Sequence, residues 1–156
     1  MAIADRLINT LREENVAYET VSHPKTYSSA ETASAAHVDD AHIAKSVVLK
    51  DEQGYLLAVI PASEWLNLDR LRKELNRELH LASEEEADGL FSDCQSGAFP
   101  PLGKTYGIEM VLDEALTSLA KVYFEAGDHE QLIVVTGDQF QALTKGVRRG
   151  HFSQSE

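Results

Sequence analysis

One lysine stands out in this sequence because its spacing to apolar neighbours suits the binding of an anion. Lys45 is followed at intervals of two by Val47 and Leu49, and residues at that interval share one face of a β-strand, whereas Ser46 and Lys50 lie on the other. Since Val47 and Leu49 should point toward the core, we expect Lys45 at the inward-facing mouth of its strand, presenting its ammonium to an anion such as phosphate. The alternative is a lysine whose stem packs and whose charged head is solvated.

A glycine–proline loop, GAFPPLGKT over residues 97–105, is the second feature with chemical potential. It is not a nucleotide-binding P-loop, because five residues rather than four separate Gly97 from Gly103. Pro100 and Pro101 also lack the amide donors that a phosphate cradle uses. Such a stiff loop can hold its free N–H groups against a carbonyl oxygen, as an oxyanion site does. The alternative is a rigid connector between elements.

The remaining polar candidates are weaker. His129, in Gly127-Asp128-His129 between two predicted strands, is a candidate general base or substrate contact, with a turn whose polar tips are solvated as the alternative. Cys94 is the only cysteine, and Asp93 beside it disfavours a thiolate, so we predict an inert thiol. The six histidines form no closely spaced pair, and we therefore predict neither a metal site nor a cofactor.

Composition bounds the class of protein. The chain has 156 residues, 43% hydrophobic and 26% charged, which fits one globular domain. Its formal net charge of −12 argues against nonspecific binding to DNA or RNA, so any RNA contact must be local or depend on a partner protein. The N-terminus lacks the apolar run of a signal peptide, and no apolar run is long enough to span a membrane, so we expect no membrane contact. The single cysteine allows no intrachain disulfide, so we expect a cytoplasmic protein.

Hydrophobic periodicity and capping residues predict helices and strands in mixed order. Helices are predicted over 3–15, from Ser28 or Ser29 to about Ala36, after Asn67, from Ser83 to Phe91, and from Asp138 to Leu143. Strands are predicted over 18–21, 45–50, 55–60, 79–81, 109–112, 121–125 and 132–136. We therefore predict a single compact α/β domain over residues 1–147, built on a curved, barrel-like mixed sheet, with residues 148–156 as a flexible polar tail.

These segments together resemble the YbaK/prolyl-tRNA-synthetase-associated editing domain family, in consistent order from Tyr18 to Leu143. The matching pieces are His23-Pro24 before the Ser/Ala-rich helix, Ile43–Leu49, Tyr55–Ala62, Asp93-Cys94 through the GAFPPLG loop, the strand ending at Asp113, and Tyr123–Thr136. Lys45 and the loop are the specific elements of the match.

The resemblance implies an aminoacyl-tRNA deacylase, which hydrolyses the ester between a small wrong amino acid and the 3′ adenosine of tRNA, often tRNA for proline. Lys45 would engage the terminal phosphate, and backbone amides of the loop at Gly97 and Ala98 would position the carbonyl, although which amide contacts it stays open. The substrate-binding residues implied are His23, Ser28, Phe99, Pro100, Pro101, Gly103, Gly127 and His129. Water, aided by a ribose hydroxyl of the substrate, would attack without a metal or a covalent intermediate.

Because the chain is acidic, a cognate synthetase or a translation factor is the partner expected to supply tRNA selection. The alternative function is a non-catalytic module of the same fold that binds an aminoacyl or nucleotide ligand or regulates a synthetase.

Overall fold

Five α-helices and ten strands make up the part of the chain that the computed structural model describes, residues 3–26 and 28–155. Met1, Ala2, Tyr27 and Glu156, which belong to the predicted domain and tail, lie outside it. The helices are α1 (Asp5–Glu13), α2 (Ser29–Ala36), α3 (Leu68–Leu75), α4 (Glu84–Leu90) and α5 (Gly137–Leu143). The strands are β1 (Glu19–Ser22), β2 (Ile43–Asp51), β3 (Gly54–Pro61), β4 (Trp65–Leu66), β5 (His80–Leu81), β6 (Glu109–Asp113), β7 (Lys121–Glu125), β8 (Gln131–Thr136), β9 (Arg148–Gly150) and β10 (Ser153–Gln154). None of these helices is both long and apolar enough to cross a membrane.

Four of the helices begin at a polar side chain that accepts a hydrogen bond from their first turn. Ser28, Asn67 and Ser83 cap α2, α3 and α4, as predicted. The start of α5 differs from the prediction, because Thr136 rather than Asp138 is the capping residue. Asp138 instead lies within the first turn, where its negative charge interacts favourably with the positive end of the helix dipole.

The main sheet runs in the order β1-β8-β7-β2-β3-β6-β9, with β5 added to β2. The pairs β2–β7, β3–β6 and β6–β9 are parallel and the others antiparallel, so the predicted mixed α/β fold is confirmed. The predicted closure into a barrel is not: β1 and β9 stand at the two ends of the described path.

Both faces of this sheet are covered, and by different helices. One face carries the largest apolar cluster, to which α1, α4 and α5 contribute buried side chains. The opposite face carries two smaller clusters, one beneath α3 and one beneath α2. Ile43 belongs to the cluster under α2, and Val47 packs against the cluster under α3. Lys45 therefore lies between the two clusters, on the face of β2 that they cover.

The C-terminal segment corrects the predicted flexible tail. Arg148–Gly150 is a strand parallel to β6, and Ser153–Gln154 pairs with β4. Phe152 between them is 1% exposed, and the buried carboxylate of Asp113 accepts hydrogen bonds from the amides of Phe152 (3.0 Å) and Ser153 (2.9 Å). One buried aromatic ring and one buried carboxylate thus order a segment whose composition is polar.

Candidate functional site

An interruption in the pairing of β2 marks the candidate site. β2 and β7 run parallel but pair only through Ile43-Ala44 and Tyr123-Phe124. The same edge of β2 next pairs with β5, from Leu49 onward. Within the described residues, the stretch Lys45–Val47 between these pairings has no strand partner on this edge, and we call it the β2 opening.

The loop that follows β7 is held in shape by a buried aspartate. Gly127 (φ 103°) and His129 (φ 60°) adopt the left-handed backbone conformation that turns the chain. Asp128 is fully buried, and its Oδ1 accepts the amides of Glu130 and Gln131, each at 3.0 Å. The expectation of a turn with solvated polar tips is therefore wrong, because hydrogen bonds draw Asp128 inward and His129 is only 4% exposed.

This β7–β8 loop and the glycine–proline loop hold each other. The Nε2 atom of His129 donates to the carbonyl of Ser96 at 2.6 Å, since a carbonyl only accepts. The same ring stands 3.7 Å from the point where a Cβ on Gly97 would lie. The amide of Gln95 donates to the carbonyl of Gly127 at 2.8 Å. His129 thus forms a wall beside Gly97 and fixes the entry to the glycine–proline loop.

The loop amides differ in their availability. The amide of Ala98 donates to the carbonyl of Gln95 at 3.0 Å, so it is already engaged. The amides of Gly97 and Phe99 have no acceptor among the described residues. The hydroxyl of Ser46 donates to the carbonyl of Phe99 at 3.1 Å, which brings this part of the loop against the β2 opening.

The remaining residues of the glycine–proline loop make contacts within the protein. Pro100 and Pro101 are buried and anchor the loop. A Cβ on Gly103 would stand 2.4 Å from the carbonyl oxygen of Ile108, so no larger residue fits there without a backbone shift. The close approach at Gly103, which the resemblance implies as a substrate-binding residue, is made by the protein's own backbone.

Lys45 lies half-buried on the face of β2 that α2 and α3 cover. Its ammonium stands 5.7 Å from the ring centroid of Trp65, and burial lowers the pKa of Lys45 from its usual value. The two side chains border a cavity of about 260 Å³, which we call the Trp65 groove. The other residues lining it are Val47, Ile60, Leu66, Leu68 and Leu81.

Glu125 is a buried acidic residue beside the candidate site that was not predicted from the sequence. Lys45 and Glu125 each lie two residues beyond Ile43 and Tyr123, a paired position of parallel strands, and so share one face of the sheet. Burial raises the pKa of Glu125 to about 7, a hydrogen bond from the hydroxyl of Thr32 (3.2 Å) opposing it. The alternation in Lys121–Glu125 was the available signal, because it aligns Glu125 with Tyr123 on a covered face.

A chain of hydroxyls ties α2 and the segment before it to this site. Thr32 of α2 hydrogen-bonds both Glu125 and, at 2.6 Å, the hydroxyl of Thr26. The amide of Thr26 donates to the carbonyl of His129 at 3.3 Å. These hydrogen bonds thus join α2, which covers one face of the sheet, to the β7–β8 loop.

His23 and Ser28 flank this segment in different settings. His23 is 7% exposed; its Nδ1 donates to the carbonyl of Pro24 at 2.7 Å, and its amide donates to the carbonyl of Glu130 at 2.9 Å. Ser28 is exposed and its hydroxyl accepts the amide of Glu31, so it serves α2 as a cap.

The structure therefore brings most predicted site residues together at the two interlocked loops. These are His23, Gly97, Ala98, Phe99, Gly127 and His129. Lys45 lies on the adjoining strand, whereas Ser28 and Gly103 occupy structural positions.

Cys94 lies next to these loops but has the character of an inert thiol. Burial raises its pKa to about 12, so almost none is thiolate at neutral pH. Its neighbours Asp93 and Tyr106 contact the sulfur at 3.5 Å each. Over residues 3–26 and 28–155, no group of three or more His, Cys, Asp or Glu side chains is placed to hold a metal ion.

Comparison with known proteins identifies a family model and solved structures that are similar to this chain. A family model described as the aminoacyl-tRNA editing domain matches residues 23–143. No curated protein matches the chain. A solved structure described as a candidate trans-editing enzyme for prolyl tRNA synthetase has a TM-score of 0.82 at 25% identity, with 97% of each chain covered.

Two other solved structures share the fold. A hypothetical protein, APE2540, has a TM-score of 0.85 at 22% identity, with 96% of this chain and 100% of that one covered. A candidate signal transduction protein from Marinobacter aquaeolei VT8 has a TM-score of 0.77 at 23% identity; the match covers 95% of this chain but 30% of that longer one.

The buried position of Glu125 predicts a pH-dependent effect on stability. Its folded-state pKa of about 7 lies above the usual 4.5, so folding favours the neutral carboxyl. This contribution is fully present below the unfolded-state pKa and is lost as pH rises through about 7. Glu125→Gln keeps an acceptor for Thr32 and cannot ionise. We expect it to raise the free energy of unfolding at pH 8 by up to about 3 kcal/mol and to change it little at pH 5.

Urea unfolding at the two pH values, followed by the fluorescence of the single tryptophan, measures this difference. Glu19→Gln, at an exposed position of β1, is the matched control and should show no such dependence. Equal effects of Glu125→Gln at both pH values would contradict the assignment of a buried, neutral carboxyl.

Proposed function

Because the chain belongs to the aminoacyl-tRNA editing domain family, we propose that it hydrolyses the ester that joins a small wrong amino acid to the 3′ adenosine of tRNA, with tRNA for proline as the favoured substrate. The observation that carries this proposal is the β2 opening, which has a lysine on one side and unengaged loop amides on the other. The similarity to a candidate trans-editing enzyme for prolyl tRNA synthetase supports the same reading.

The proposed chemistry depends on position and carbonyl polarisation. Lys45 binds the phosphate of the terminal nucleotide and thereby places the 3′ ester near the loop. The amides of Gly97 and Phe99, which have no acceptor within the described residues, donate to the carbonyl oxygen and stabilise the charge that develops on it. In this scheme the engaged amide of Ala98 shapes the loop and does not contact the substrate.

The hydrolytic step needs no covalent enzyme intermediate. The oxygen of water attacks the ester carbonyl while the neighbouring ribose hydroxyl of the substrate helps to remove its proton. The bond between the carbonyl carbon and the ribose oxygen breaks, the ribose oxygen takes up a proton, and free amino acid and uncharged tRNA leave. An aminoacyl ester is already activated toward hydrolysis, so orientation of the ester and polarisation of its carbonyl are sufficient for catalysis.

The site also offers a way to limit the size of the amino acid. A synthetase pocket discriminates against a similar or smaller competitor by only about 1–3 kcal/mol, so a second pocket is needed to remove errors. We propose that His129, held at 2.6 Å by the Ser96 carbonyl beside Gly97, forms the wall against which a small side chain such as that of alanine, cysteine or serine fits.

The acidity of the chain bears on how tRNA is selected. With a formal net charge of −12, the protein repels the phosphates of tRNA outside the immediate site. We propose that a synthetase or a translation factor presents the mischarged tRNA, and that this protein contacts chiefly the 3′ end.

We predict turnover of at least one member of a panel of alanyl-, cysteinyl- and seryl-tRNA for proline. The assay follows loss of the radiolabelled amino acid from tRNA with purified protein, alongside a competent deacylase. Because the proposed step uses no metal ion, exhaustive chelation should leave the rate unchanged. Absence of turnover across the whole panel contradicts the enzymatic function, and a rate lost on chelation and restored by zinc contradicts its metal independence.

We predict that Lys45→Ala lowers kcat/KM for deacylation by roughly 10- to 150-fold, because a charge-assisted hydrogen bond contributes about 1.5–3 kcal/mol. Steady-state kinetics on the best panel substrate measure the loss. Lys73→Ala is the matched control, since Lys73 is exposed on α3 and makes no ion pair among the described residues. Lys50 is unsuitable as a control because it forms an ion pair with Glu86. An unchanged kcat/KM for Lys45→Ala would contradict phosphate binding by this lysine.

A further inference from the structure

The Trp65 groove exposes large apolar side chains to solvent. Trp65 is 55% exposed and Leu81 61%, although both are large hydrophobic residues. They border the cavity of about 260 Å³ whose remaining walls are mostly aliphatic. Exposed apolar clusters of this kind mark binding surfaces more often than isolated exposed residues do.

The charge of the groove restricts what can occupy it. Lys45 is the only charged side chain among the described residues that line the groove, and its ammonium stands 5.7 Å from the centroid of the Trp65 ring. A flat aromatic face beside one cation complements a flat apolar group that carries one negative charge. A nucleotide has this combination, in its base and its phosphate.

We propose that the Trp65 groove binds one unpaired nucleobase of the tRNA 3′ end, stacked on the indole of Trp65, while the adjoining phosphate contacts Lys45. This inference rests on the proposed function and adds the subsite that holds the nucleotide. Stacking on an aromatic side chain accepts any base and does not require an extended basic surface. An acidic protein can therefore bind the end of a tRNA locally through it.

The position of the groove agrees with the path that the substrate must take. Lys45 is both a wall of the groove and the first residue of the β2 opening. A phosphate at Lys45 therefore lets the base turn toward Trp65 while the ribose and its ester extend toward the loop amides. Base and ester thus occupy different sides of one lysine.

The first test uses the trinucleotide CCA and the fluorescence of Trp65, the only tryptophan in the chain. We expect CCA to quench this emission saturably, because a base stacks on the ring, and inorganic phosphate to leave it unchanged at the same concentrations. Unchanged emission with CCA, or equal quenching by inorganic phosphate, overturns the proposal.

The second test uses variants of the full chain and equilibrium dialysis against radiolabelled CCA. Trp65→Ala should weaken binding by roughly 5- to 150-fold, the range expected for loss of one stacked base, and Trp65→Phe should restore most of it. Tyr18→Ala is the matched control, because Tyr18 is also an exposed aromatic residue (38%) but does not line the groove. Equal affinity of Trp65→Ala and wild-type protein for CCA overturns the proposal.

These tests separate the subsite from the enzymatic function, because CCA carries no ester. Binding that depends on Trp65 without any deacylation supports the subsite and contradicts the proposed function. Deacylation that is unaffected by Trp65→Ala, in kcat and in KM, contradicts the subsite alone. If Trp65→Ala instead abolishes self-association of the chain in sedimentation while CCA does not bind, the groove is a face between two copies and the proposal is overturned.

Discussion

The parting of β2 from β7 after two paired residues is the constraint on which the rest of the site depends. Two adjacent parallel strands would normally continue their ladder, and the edge of β2 would then be closed by main-chain hydrogen bonds. Here β7 ends at Glu125, and the buried carboxylate of Asp128 turns the chain away by accepting the amides of Glu130 and Gln131. The opening at Lys45–Val47 is therefore a product of one well-satisfied turn in the neighbouring connection.

A connected set of hydrogen bonds to neighbouring segments compensates for the polar backbone groups of the glycine–proline loop. His129 bonds the carbonyl of Ser96, Ser46 bonds the carbonyl of Phe99, and the amide of Gln95 bonds the carbonyl of Gly127. Two of these bonds join the start of the glycine–proline loop to the β7–β8 loop, and the third joins Phe99 to β2, so the loop is held by two neighbouring elements. Because the loop is preorganised in this way, the amides of Gly97 and Phe99 can remain without an acceptor among the described residues.

Local patterns in the sequence predicted the elements around this site. Alternation placed Lys45 on the face of Val47 and Leu49, and the capping residues Ser28 and Asn67 fixed the starts of two helices. These predictions succeed because the interactions involved lie within a few residues of one another.

What the sequence could not supply are contacts between distant segments. The strand at Arg148–Gly150 pairs with the edge of β6, and Phe152 packs into the cluster beneath α3 while its amide donates to Asp113. Composition alone suggested a frayed end. The burial of His129 and Glu125 likewise depends on the loop at Ser96 and on Thr32, each some thirty or more residues away.

We propose that the β2 opening and the two interlocked loops form one site for the aminoacylated 3′ end. The most direct measurement is a titration of isotopically labelled protein with 3′-alanylamido-3′-deoxyadenosine 5′-phosphate, whose amide resists hydrolysis. The shifts of backbone amide resonances report binding. We predict saturable shifts concentrated in Lys45–Val47, Ser96–Phe99 and Gly127–His129, with the amides of Gly97 and Phe99 moving downfield as they gain an acceptor. Saturable shifts that lie elsewhere and leave these three segments unchanged would contradict a binding site at the β2 opening.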